Sequence, residues 1–160
     1  MKVDFGINQK YIKIAIWVVV AIVAIIVIRK IWKKIKEKID IEKVSKKLGQ
    51  DVVVSELSYT DGEYTILAER LVGALNDRKS GYRGVNQEQV YEVFRAMKTN
   101  SDLLKLTDAF GTRTLDLAWT SGAKDGDYTL WQVMSSRVLT DGEKAEIRAI
   151  LADNNVTYPF

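Results

Sequence analysis

Carboxylates, lysines, hydroxyls and phenols are the side chains of this chain that could do chemistry, because cysteine is absent and so is histidine. That absence removes disulfides, thiolate nucleophiles, Cys/His zinc sites, haem ligation through histidine and every histidine-based triad. Paired carboxylates remain, and two of them suffice for glycan hydrolysis. Six of the glutamates are otherwise accounted for. Glu63 and Glu143 each end a Thr-Asp-Gly-Glu tetrapeptide (60–63 and 140–143), the pattern of a capping box: the Thr hydroxyl accepts from the third helical amide and the Glu reaches back. Asn86 with Gln89 forms a third such start, while Glu69, Glu88, Glu92 and Glu146 fall on faces expected to be solvated. Asp125-Gly126-Asp127 is too short for an EF-hand loop, and no Walker loop, dinucleotide fingerprint or nucleophile elbow is present. The chain reads as a non-enzyme with no catalytic residue, no metal ligands and no cofactor.

The elements behind these residues are helices. With Asn100 and Asp127 as two further N-caps, the periodicity predicts five over 60–160: about 61–76 (Leu67, Leu71, Val72 and Leu75 inward), 87–98 (Val90, Val93, Phe94, Met97), 101–110 (Leu103, Leu106, Phe110, stopped by Gly111), 128–139 (Leu130, Trp131, Met134, Val138) and 141–153 (Ile147, Ile150, Leu151). Asn154 or Asn155 suits a left-handed C-cap. The Asp-Gly pairs are followed by helical spacing and not by strand alternation, so the fold class reads all-α. Loops at 77–85 and 111–127 are rich in Gly, Ser, Thr and Asp and are where recognition would most easily sit.

The first third of the chain differs in kind. Residues 1–48 hold twelve basic and four acidic side chains, a net of +8, against −5 for 49–160. Within it, 14–28 reads IAIWVVVAIVAIIVI with no charge, and Ile12, Ile31 and Trp32 extend the run. About 20 apolar residues cross a hydrocarbon core ~30 Å thick, so 12–32 is predicted to be a single transmembrane helix, with Ile14, Trp17, Val20, Ile25 and Ile28 as its lipid-facing body. A core helix would not be apolar on every face, and the charged sequence after the run lacks the small-residue cleavage site of a signal peptide. Without cysteine there is no palmitoylation or prenylation to share the anchoring.

Arg29, Lys30, Lys33, Lys34, Lys36 and Lys38 follow the run closely and suit anionic headgroups; by the positive-inside rule they place the following domain in the cytoplasm. Ile28, Trp32, Ile35 and Ile39 recur at helical spacing, so the anchor is expected to continue as a basic amphipathic helix over 33–48. That stripe could pack against neighbouring copies, giving a homo-oligomer, or against a partner helix; nothing resembles a base-reading motif, so nucleic acid is not expected. Residues 1–11 read as a tail, 49–59 as a linker in which Gly49 caps the helix, and 60–160 as the helical domain.

The order of helices, with Gly84-Val85-Asn86-Gln87-Glu88-Gln89-Val90-Tyr91-Glu92-Val93-Phe94 opening the second, resembles the annexin repeat, a five-helix unit. Annexin repeats bind calcium through loop carbonyls and a later carboxylate; here Tyr82 and Val85 replace a Gly and a Thr of the motif, and the closing acid is divided among Asp116, Asp125 and Asp127, so calcium is not expected. This module, with the segment 150–160, also looks like small structural proteins encoded by bacterial viruses. The resemblance implies a membrane-anchored structural or adaptor protein, a minor virion component tethering the internal membrane of a lipid-containing bacteriophage to capsid or vertex proteins, with Tyr82, Tyr158 and Phe160 as candidate partner contacts. The rivals are a holin-like lysis protein of the bacterial inner membrane and a cellular single-pass adaptor.

Overall fold

The structure, a computed structural model, describes residues 9–48, 51–77, 85–117 and 123–160, leaving aside the side chains of 9–15 and 48. It is mostly helical. In chain order the elements are α1 (Gln9–Leu48), a 3-10 turn η1 (Val54–Glu56), α2 (Asp61–Leu75), α3 (Gln87–Ala96), α4 (Asn100–Phe110), β1 (Thr112–Leu115), β2 (Gly126–Thr129), α5 (Leu130–Ser135) and α6 (Asp141–Asp153). The chain divides into two compact units, Met1–Ile35 and Lys36–Phe160. The second therefore takes in the last residues of the basic segment and all of the expected linker, beyond the predicted 60–160.

In the second unit, both Thr-Asp-Gly-Glu tetrapeptides start helices as expected, with both arms of the capping box formed at Thr60/Glu63 and Thr140/Glu143. Asn86 caps α3 by accepting from the Gln89 amide. Gly111 ends α4 at φ +54°, and Asn155 takes the left-handed conformation at φ +57° just beyond α6. α2 packs on α3 and α4, and α3 packs on α6. Tyr64, Phe94, Met97, Leu103, Leu106, Phe110, Leu130, Val133, Ile147 and Leu151 are fully buried in the core between them.

Four expectations need correction. The stretch 111–127 is not simply a loop: β1 and β2 pair antiparallel there, Thr112 opposite Thr129 and Leu115 opposite Gly126, so the unit is not all-α. The helix expected at 128–139 with Asp127 as its cap shrinks to six residues, because Thr129 with Gln132 is the better capping box and the residues before it are spent in β2. Thr99, with Asp102, caps α4 in place of Asn100. Residues 51–59 are not a free linker, since the Val53 amide donates to Ser101 Oγ (3.0 Å), and the Ser58 amide and hydroxyl both donate to Asp102 (2.8 Å each).

Candidate functional site

In the first unit the described side chains begin at Ile16. From there to Ile28 every large apolar residue is 48–72% exposed, Trp17 most of all, on every face of the helix among the described residues. Val20, Ile25 and Ile28 belong to this surface, whereas the Ile14 side chain lies outside the described residues. Arg29, Lys30, Lys33 and Lys34 follow, all exposed. Among the described residues no helix is long and apolar enough to cross a membrane.

In the second unit the packed face of residues 36–48 is not the apolar stripe that the sequence suggests. Ile39 remains 45% exposed, and Glu37, Asp40 and Val44 turn inward instead. Glu37 Oε1 accepts from the Thr112 amide (3.0 Å), and Asp40 accepts from the Thr129 hydroxyl while lying 3.6 Å from Lys43 Nζ. Lys36 Nζ donates to the Asp127 carbonyl (3.1 Å), so this member of the polybasic set is spent inside the unit, whereas Lys38 is exposed. Lys47 Nζ sits 4.4 Å from the centre of the Trp131 ring. Hydrophobic periodicity does not mark these two acids as a packing face.

A second polar centre lies at the start of α4. Asp102 is fully buried and accepts from the Tyr64 hydroxyl (2.5 Å), the Ser58 amide and hydroxyl, and the amides of Lys98 (2.9 Å) and Thr99 (3.1 Å). Burial alone would raise its pKa, but the hydrogen bonds from Tyr64, Ser58 and Lys98 outweigh it and hold the carboxyl below the usual range. Tyr64 is pushed well above the ordinary phenol range, first by burial and then by its bond to that carboxylate. All of these donors converge on a carboxylate with no access to solvent, so Asp102 joins 51–59 to the core and is not placed for acid–base work on a substrate.

Tyr158 and Phe160, expected to meet a partner, pack against the chain's own core: Phe160 lies 5.5 Å from Trp131 and Tyr158 5.6 Å from Phe160, ring centre to ring centre. Arg148 stacks over Tyr158 at 4.9 Å. Tyr82 lies outside the described residues. Of the candidate closing acids, Asp125 accepts from the Leu117 amide and Asp127 from the Thr114 hydroxyl, both as part of the hairpin, and Asp116 is exposed. Glu69 pairs with Arg113 and Glu88 with Arg95, while Glu143 accepts from Gln87 as well as capping α6. Among the described residues no group of three or more acidic side chains could hold a metal ion.

No family model matches this chain, nor does any curated protein or solved structure.

Proposed function

We propose that the chain is a single-pass membrane tether: residues 12–32 cross a lipid bilayer, Arg29, Lys30, Lys33, Lys34 and Lys38 face anionic headgroups, and the second unit engages a protein partner. One observation carries this reading. The helix is apolar on every face from 16 to 28, and its large side chains there stand about half exposed among the described residues. A helix apolar all round belongs in a protein core or in lipid. Eleven large side chains stand there about half exposed; removing that surface from water stabilises by roughly 1 kcal/mol each, on the order of 10 kcal/mol together. With Ile12, Ile14 and Ala15 included, 21 residues at ~1.5 Å each span ~30 Å, the thickness of the hydrocarbon core.

The adaptor role rests on the second unit, in which Glu63 and Glu143 are spent on caps, Glu69 and Glu88 on ion pairs and Asp102 on its buried centre. The finer assignment, to a minor protein of a lipid-containing bacteriophage particle that binds capsid or vertex proteins, rests on the resemblance of the module alone. Flotation with vesicles containing anionic lipid, followed by extraction at alkaline pH, tests the tether. The full chain stays with the vesicles through extraction, and deletion of 12–32 releases it; a full chain stripped by alkali sinks the reading. Purified particles tested for the chain decide the virion role, and absence there excludes it.

A further inference from the structure

We propose that residues 36–48 are a polar strap, which holds the end of α1 on the β1–β2 hairpin and α5 and can detach without unpacking the domain. The proposal rests on the tether reading for its purpose: residues 36–48 join the apolar segment in sequence to the partner-binding unit, and the strap would decide whether they stay packed on that unit.

The contacts define the strap. Glu37 takes the Thr112 amide and Asp40 takes the Thr129 hydroxyl, and these two threonines face each other across the hairpin, so the strap grips both strands at one register position. Lys36 adds the Asp127 carbonyl of β2, and Lys47 covers Trp131 of α5. The apolar contribution is small by comparison. Val44 is the one buried hydrophobic side chain among residues 36–47, and it stands apart from the main core cluster, which runs from Tyr64 to Val156. An element held by directed polar contacts to exchange-competent groups can release as a unit, because its loss opens no cavity in the core.

The cysteine-free sequence allows paired spin labels on the full chain in anionic vesicles. Lys46→Cys with Ala149→Cys reports strap to domain, and Arg70→Cys with Ala149→Cys reports the domain alone; all three positions are exposed. The strap pair should give one narrow distance peak in vesicles. Glu37→Ala with Asp40→Ala should broaden the strap peak and leave the domain peak narrow, and Glu37→Gln with Asp40→Asn, which keeps both acceptor oxygens, should restore it. A broad strap peak in the unmodified background, or one indifferent to Glu37→Ala/Asp40→Ala, overturns the proposal. So does broadening of the domain peak together with the strap peak, since residues 36–48 would then be part of the core. Flotation of the same samples reads the tether separately: narrow peaks on a chain that fails to float leave the strap standing and remove the anchor.

Discussion

Replacing Asp102 with Asn should destabilise the second unit far more than a one-atom change suggests. Oδ1 receives the Ser58 amide and the Tyr64 hydroxyl, while Oδ2 receives the Ser58 hydroxyl and the amides of Lys98 and Thr99. An amide nitrogen at the Oδ2 position would face two backbone donors, and the flipped rotamer would face one backbone donor and the phenol. Either way at least one buried N–H loses its acceptor, at ~1–3 kcal/mol, and the remaining bonds lose the carboxylate charge that made them strong. The sum is ~2–4 kcal/mol, a large share of the ~5–15 kcal/mol that usually holds a domain. Urea unfolding followed by near-ultraviolet circular dichroism on the full chain in detergent measures it, and in a thermal melt the same loss lowers Tm by roughly 3–5 °C per kcal/mol for a unit of this size. A pH series adds a second reading. Because the folded carboxyl titrates below its unfolded value, its contribution is complete above ~pH 4 and disappears as pH falls through the folded pKa. The Asn variant should therefore lose less stability on acidification than the parent. A loss under about 1 kcal/mol at neutral pH, or an unchanged acid limb, would refute the reasoning.

The two tetrapeptide caps should behave differently under the same substitution. Glu143→Ala removes both a cap and the Gln87 bond from a side chain that is only 6% exposed, and should cost ~2 kcal/mol; Glu63→Ala, at an exposed cap, should cost clearly less, and thermal melts compare them directly. Deleting 157–160 removes the Tyr158–Phe160–Trp131 stack and should lower stability by ~2 kcal/mol; an unchanged urea midpoint would return these aromatics to the role of partner contacts. Gly111→Ala forces a side chain into φ +54° and should cost ~1 kcal/mol, read from the same melts.

The sequence showed the parts of the fold that local chemistry determines. Thr60 and Thr140 announce their helices because the cap is written within four residues, and Gly111 and Asn155 announce stops because left-handed backbone favours those types. The hairpin escaped because each strand has only four residues, too few for alternation to register, although Thr129-Leu130-Trp131-Gln132 carried the same capping signal as the other starts. Asp102 sits three residues after Thr99 and could have been read as a cap partner, but its reach to Ser58 and Tyr64 depends on tertiary contacts across 38 and 44 residues. The same limit hid the strap: Glu37 and Asp40 look solvated among lysines until the hairpin, 75 and 89 residues on, supplies their donors. The apolar run of residues 16–28 is the opposite case, legible from composition alone, with its large side chains about half exposed.

Cysteine accessibility in sealed vesicles tests that run most directly. With Val23→Cys or Lys46→Cys as the sole thiol, a membrane-impermeant maleimide should label position 46 on outward-facing molecules and leave position 23 unlabelled until detergent is added. Equal labelling of both before detergent would contradict a bilayer-spanning helix.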